Sequence, residues 1–169
     1  MEDQRETAVP APDALASDAE RRVELLPENQ YLVFRIGTER YCLSVLEVEE
    51  VVEWLEPTPL PLAPPYLMGI FNLRGAIFPA LDIAYGQTQR EDTPKHLVVV
   101  SWTGEGGRTL QVGLAADEVF GTCLSSELLM ADQATAEGPH SRGTLQCADG
   151  FACALDLSRL VETFPIPGI

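Results

Sequence analysis

Three observations predict a mainly β fold, a barrel or a sandwich. Short β-branched and aromatic runs, about nine or ten of them, recur between Gly, Pro and polar breaks. They do not alternate with long amphipathic runs, as the strands of a parallel sheet with crossover helices do. Apolar residues make up 46% of 169, enough for one sizeable core or two small ones that share an interface.

The segment from Met1 to Asn29 stands apart. It sets Glu2, Asp3, Glu6, Asp13, Asp18, Glu20, Glu24 and Glu28 against Arg5, Arg21 and Arg22, and it has no aromatic residue. Such a stretch buries too little apolar area to offset its ordering entropy, so an acidic disordered tail is expected. From Gln30 the texture changes. Tyr31 to Ile36 and Tyr41 to Val45 flank Gly37-Thr38-Glu39, the pattern of a hairpin. Val45 to Leu55 is two-sided: its glutamates allow a helical turn, while Val48, Val51 and Val52 favour strand. Pro57, Pro59, Pro61, Pro64 and Pro65 then dictate an extended crossing. Gly69 to Leu73 and Ala76 to Leu81 make a second hairpin around Arg74-Gly75, and Pro79 points to an edge strand or a bulge. Beyond a polar loop, His96 to Trp102 and Thr109 to Leu114 read as strands joined by a Gly104-Glu105-Gly106-Gly107 turn. Asp117 to Leu124 is a further strand, and Ser125 to Pro139 a long polar loop. Gly143 to Cys147 pairs with Phe151 to Leu155, and Ser158 to Phe164 is a short helix capped by Asp156 or Ser158.

Charge narrows the function. With 11 basic and 26 acidic side chains the net charge is −15, which disfavours nucleic acid and anionic membrane surfaces as partners. No apolar run reaches the roughly 18–20 residues that span a bilayer. The start, Met1-Glu2-Asp3-Gln4-Arg5, has no basic segment leading into an apolar one, so no secretory signal is expected and the chain is placed in the cytosol. Cys42, Cys123, Cys147 and Cys153 show no metal-ligand spacing; they read as small buried hydrophobes in a reducing compartment, with a disulfide or zinc site as the alternative.

Little looks catalytic. The nucleotide-binding glycine motifs and the G-x-S-x-G elbow are missing, and His96 and His140 are each isolated in sequence. A Cys–His or Ser–His pair assembled only by folding stays open. The informative block is Leu60 to Asp82, where Arg74 is the single cation among mostly apolar residues. It either caps the hairpin in solvent or meets the acidic run Glu47, Glu49, Glu50 and Glu53, because a partly buried guanidinium needs a carboxylate or carbonyls.

From Gln30 to about Leu160 the sequence resembles the CheW-like coupling proteins of bacterial chemosensory arrays. The matching stretches are Tyr31-Leu-Val-Phe-Arg-Ile-Gly, Tyr41-Cys-Leu-Ser-Val with Val48-Glu-Glu-Val51, and the proline crossing Pro59 to Tyr66. They continue with Met68-Gly-Ile-Phe-Asn-Leu-Arg-Gly75 followed by Pro79-Ala-Leu-Asp82, similar to the family's G-x-x-N-x-R-G…P-x-x-D, and with Val112 to Val119. The resemblance implies a domain over 30–169 made of two intertwined five-stranded β-barrels packed through a shared apolar interface. It implies a scaffold with no enzymatic activity, cofactor or metal. The implied partners are the regulatory domain of a CheA-type histidine kinase, the cytoplasmic tip of a chemoreceptor, and other CheW-like domains in array rings. Val48, Glu50, Gly69, Arg74 and Gly75 match positions that line the receptor groove, with Glu50 and Arg74 as a charge pair. Leu97 and Val119 fall on strands that match the kinase-contacting face. Two departures, the early end after Phe164 and the unmatched loop 125–139, leave the subfamily open between a flagellar coupling protein and a scaffold of a pilus or other cluster without direct kinase control.

Overall fold

The computed structural model describes residues 29–86, 93–104, 107–124 and 140–166, together with the backbone of 128–129. The expected tail and most of the loop 125–139 lie outside the described residues. The strands are β1 (Gln30–Ile36), β2 (Glu39–Ser44), β3 (Val48–Glu53), β4 (Leu67–Leu73), β5 (Ala76–Leu81), β6 (His96–Thr103), β7 (Thr109–Ala116), β8 (Glu118–Leu124), β9 (Leu128–Leu129), β10 (Ser141–Cys147) and β11 (Gly150–Leu155). One helix among the described residues, α1 (Leu157–Thr163), follows them. The mainly β class is as expected. The strands form two sheets, ordered β8-β1-β2-β11-β10-β9 and β3-β6-β7-β5-β4.

The sheets are two versions of one design, a repeat that the sequence alone does not reveal. Each has a hairpin at its centre, β1–β2 or β6–β7, joined by a short parallel step to a second hairpin, β11–β10 or β5–β4. The second hairpins share one burial pattern, and each shifts register at a left-handed glycine, Gly69 (φ 141°) or Gly143 (φ 152°). The strands β3 and β8 each bulge by one residue, Glu49 or Phe120, against their partners. Within each half of the chain the first two strands enter one sheet and the rest the other. The β2–β3 and β7–β8 connections are therefore crossovers between sheets, and the two units are intertwined.

Period-2 alternation splits the core into three. On β1, Leu32, Phe34 and Ile36 face the other sheet, while Val33 points the opposite way; on β6, Val98 and Val100 face across, while Leu97 and Val99 turn inward. The cluster between the sheets is the largest, and α1 adds Leu157, Leu160 and the following Phe164 to it. Smaller clusters fill each unit: Val33, Cys42, Leu145, Ala152 and Ala154 in one, Phe71, Phe78, Ala80, Leu97 and Val99 in the other. The hydrogen-bonded order of each sheet is linear, and side chains bring its far strands together. Glu50 of β3 meets Arg74 at the β4–β5 turn. In the other sheet Cys123 of β8 and Cys147 of β10 pack on the same small cluster.

Tertiary context settles the ambiguous segments. Val45 to Leu55 contains strand because β6 supplies a ladder, and β3 alternates half-buried Val48, Glu50 and Val52 with exposed Glu49, Val51 and Glu53. Pro79 lies in β5, which is flanked by β4 and β7 rather than at an edge. Opposite it, Ile70 directs both its N–H and its C=O to Thr58, and pairing with β7 begins only at Ala80, so no ladder donor is needed at Pro79. At the helix, Asp156 is the cap, accepting the Ser158 and Arg159 amides at 3.0 and 3.2 Å. The four cysteines are free thiols; Cys42 and Cys153 are buried, Cys123 and Cys147 half-buried.

Candidate functional site

The turn between β4 and β5 is locally strained. Arg74 (φ 52°) and Gly75 (φ 89°) are both left-handed, the geometry of a two-residue hairpin turn whose twist matches the flanking strands. Gly75 adopts it freely. A side chain as large as Arg74 pays about 1–2 kcal/mol for it. The Asn72 carboxamide oxygen accepts the Gly75 amide at 3.1 Å and fixes the turn. Where Asn or Gly is the usual occupant, a strained arginine points to a role outside the turn.

That role begins with Glu50. Arg74 Nη2 lies 3.2 Å from Glu50 Oε2, and Nη1 donates to Oε1 at 3.4 Å, a fork on both carboxylate oxygens. The Arg74 side chain is 77% exposed and that of Glu50 30%, so the guanidinium has open donors beyond the pair. The pair bridges the two end strands of one sheet. It is thus a rim feature of one unit rather than the floor of a groove between the two. An apolar cleft of 270 Å³ lies on the other flank of the hairpin, lined by Leu60, Leu62, Ile70, Ile77 and Ile166 among others.

The remaining carried-over residues divide by burial. Val48 is half-buried and packs on the cluster between the sheets. Gly69 is buried, and a Cβ there would lie 2.4 Å from the Thr58 carbonyl oxygen of the proline crossing. Its glycine is a packing requirement that seats the crossing against β4. Val119 is half-buried against the same cluster as Val48. Leu97 corrects the expectation of a contact face: it is fully buried inside its unit, and Gly113 makes the room, since a Cβ there would lie 2.6 Å from Leu97 Cδ1. Leu97 and Val99 of β6 both point into the unit, which leaves Leu97 no exposed surface.

His140 does not form a base–nucleophile pair. It is fully buried between the rings of Tyr41 and Phe164, with centroids at 6.3 and 5.8 Å, and neither ring nitrogen has a hydrogen-bond partner. Burial lowers its pKa from 6.5, because the charged form would be desolvated. The neutral form thus belongs to the folded state, while the unfolded chain takes up the proton near 6.5. Stability from this group is complete above that pH and is lost as pH falls through the lower folded pKa. The melting temperature is expected to drop between pH 7 and pH 5, less so for His140→Leu; equal slopes for the two proteins would contradict this. Burial also pushes the Cys42 and Cys147 thiols up to about 12, which suits packing residues rather than nucleophiles.

A family model described as the CheW-like domain matches residues 30–164. The chain belongs to the CheW-like family. A probable chemotaxis protein CheW of Rhizobium etli is 28% identical over 144 residues, covering 79% of this chain and 87% of its own length. Chemotaxis protein CheW of Thermotoga maritima is 25% identical over 147 residues, covering 85% and 94%. The crystal structure of scaffolding protein TtCheW from Thermoanaerobacter tengcongensis aligns with a TM-score of 0.67 at 25% identity, covering 78% of this chain and 86% of that one. The CheW-like family is one of chemotaxis scaffolds and adaptors. No helix among the described residues is long and apolar enough to cross a membrane.

Two features of the site escape sequence reasoning. One is the left-handed conformation of Arg74, for which only the following glycine is a signal. The other is the inward register of Leu97, which needs the position of β6 between β3 and β7.

Proposed function

We propose that this chain is a non-enzymatic adaptor that couples the cytoplasmic tip of a chemoreceptor to the regulatory domain of a CheA-type histidine kinase. The observation that carries the reading is the Arg74–Glu50 fork, held on a strained turn with its guanidinium exposed. The receptor-facing set is Val48, Glu50, Gly69, Arg74 and Gly75. Within it Arg74 and Glu50 make the contact, Gly75 permits the turn, and Val48 and Gly69 seat the two strands. A guanidinium already paired on one edge keeps donors for the backbone carbonyls or carboxylates of a helical tip. The kinase-facing element is β8. Val119 anchors it inward, and Phe120, 44% exposed with Arg40 stacked 4.7 Å from its ring centroid, presents its outer side. Such a role places the chain in the cytoplasm beside the receptor array.

Direct binding tests this. Full-length protein is titrated separately with a soluble receptor-tip fragment and with the isolated kinase regulatory domain from the same bacterium. Both are expected to bind, and failure of either removes that half of the proposal. Phe120→Asp is expected to weaken kinase-domain binding by at least about tenfold, since it removes the ring's apolar contact and leaves a charge that binding would desolvate. Receptor affinity should not change. A folded Phe120→Asp protein with full kinase affinity moves the contact away from β8.

A further inference from the structure

Each crossover between the sheets is fastened through a carboxylate. At β2–β3, the Glu47 carboxylate accepts the Ser44 amide at 3.2 Å and takes Arg142 in a fork, Nη2–Oε2 at 2.9 Å and Nη1–Oε1 at 3.5 Å. Arg142 belongs to β10 of the first sheet. The Glu47 carbonyl accepts the Ser101 amide of β6, in the second sheet, at 3.1 Å. A single residue is thereby tied to one sheet through its side chain and to the other through its backbone. At β7–β8 the Asp117 carboxylate accepts the Gly37 amide at 2.5 Å. Its backbone amide donates to the Arg35 carbonyl at 2.8 Å, and the Arg35 guanidinium lies 3.3 Å from Glu118 and 3.9 Å from Asp117.

The first clamp stands three residues before Glu50. Its partners are about a quarter exposed, Arg142 28% and Glu47 27%, so it is less screened by solvent than the Arg74–Glu50 pair. Between the clamp and Glu50, β3 bulges at Glu49, where the ladder to β6 skips a residue. A bulged strand entry has little to fix the rotation of the next residue, and the carboxylate clamp supplies that constraint. We propose that Glu47 and Arg142 are positioning residues: by pinning the crossover they set the bulge of β3, and so aim Glu50 at Arg74. The proposal rests on the reading of Arg74 and Glu50 as the receptor contact only for its effect on binding; its effect on the pair itself does not need that reading.

The test separates the two. The Arg74 guanidinium NMR signal of the full chain is assigned by its loss in Arg74→Ala, and its displacement in Glu50→Gln defines the unpaired position. Arg142→Met is expected to move the signal towards that position without any partner present. Arg142→Lys, which keeps the charge, should restore part of the shift. Glu47→Gln, which retains an acceptor for the Ser44 amide, is the alternative where Arg142→Met does not fold. Asp117→Ala, which removes the carboxylate of the other crossover at the opposite end of β1, controls for a general loss of stability. Affinity for the receptor-tip fragment should fall about tenfold in Arg142→Met, with kinase-domain affinity within about threefold of the parent. An unmoved Arg74 signal in Arg142→Met, or an equal movement in Asp117→Ala, overturns the positioning role. A moved signal with unchanged receptor affinity upholds it, and removes instead the reading of Arg74 and Glu50 as a receptor contact.

Discussion

Arg74→Gly should melt at or above the temperature of the parent protein and yet lose receptor binding by at least about tenfold, near 1.4 kcal/mol. The two effects have separate sources. Glycine removes the left-handed penalty at φ 52°, while an exposed ion pair of this kind contributes only about 0–1 kcal/mol to folding. What is lost is a guanidinium with free donors and the charge that neutralises Glu50 where a partner would approach. Arg74→Ala shares the binding defect and keeps most of the strain, so it should melt slightly below Arg74→Gly. The second half of the argument comes from Glu50→Ala and the double variant, each titrated with receptor tip and kinase domain. Non-additive losses of receptor affinity, with kinase affinity retained, are expected for side chains that act as one unit. Additive effects, or full receptor binding by Arg74→Gly, would reduce Arg74 to a solvated turn residue whose strain has no binding role.

Leu97→Ala carries the largest expected loss of stability. Leu97 is enclosed with Phe71, Phe78, Ala80 and Val99 in one of the two small unit cores, where few neighbours can move to refill the space. Truncation there should cost about 2–5 kcal/mol, with a fall in melting temperature of about 2–4 °C for each kcal/mol at this chain length. Kinase-domain affinity, measured well below the new melting temperature, should stay within about threefold of the parent. A Leu97→Ala protein that melts like the parent but binds the kinase domain weakly would show that the strand opens to its partner. The contrast with Phe120→Asp is informative: one residue is in the core and the other on the surface, though both lie on strands matched to the kinase-facing side.

Between them, these variants show where family resemblance and structure part company. Resemblance transfers positions, and position in a strand fixes only which residues share a face. Gly69 and Arg74 both belong to the proposed receptor-facing set, yet one is packed against the Thr58 backbone and the other is exposed on the rim. Val48 and Glu50 lie on opposite sides of β3, because the bulge at Glu49 pairs them with Val100 and Val99, and only Glu50 reaches a charged partner.

The sequence by itself determined most of the strands, though not β3 or the short β9, and the chemistry on offer. Runs such as Tyr31 to Ile36 and His96 to Trp102 specify strand through β-branched and aromatic content, because such side chains pack well on a pleated surface whatever lies beside it. The hairpins follow from local turns at Gly37, Arg74-Gly75 and Asp149, and the shortage of catalytic groupings is read directly from residue type and spacing. Only the tertiary structure decided which strands share a sheet. The parallel steps Tyr41 to Cys153 and Ala80 to Gly113 join distant parts of the chain, and backbone ladders carry no record of their partner in side-chain identity. The internal repeat was hidden for a related reason. The β4–β5 and β10–β11 hairpins share a burial pattern but fill it with different residues, Phe71 and Phe78 in one and Leu145 and Ala152 in the other. Burial selects for apolar volume summed over a core, so two units can keep one architecture while their sequences diverge.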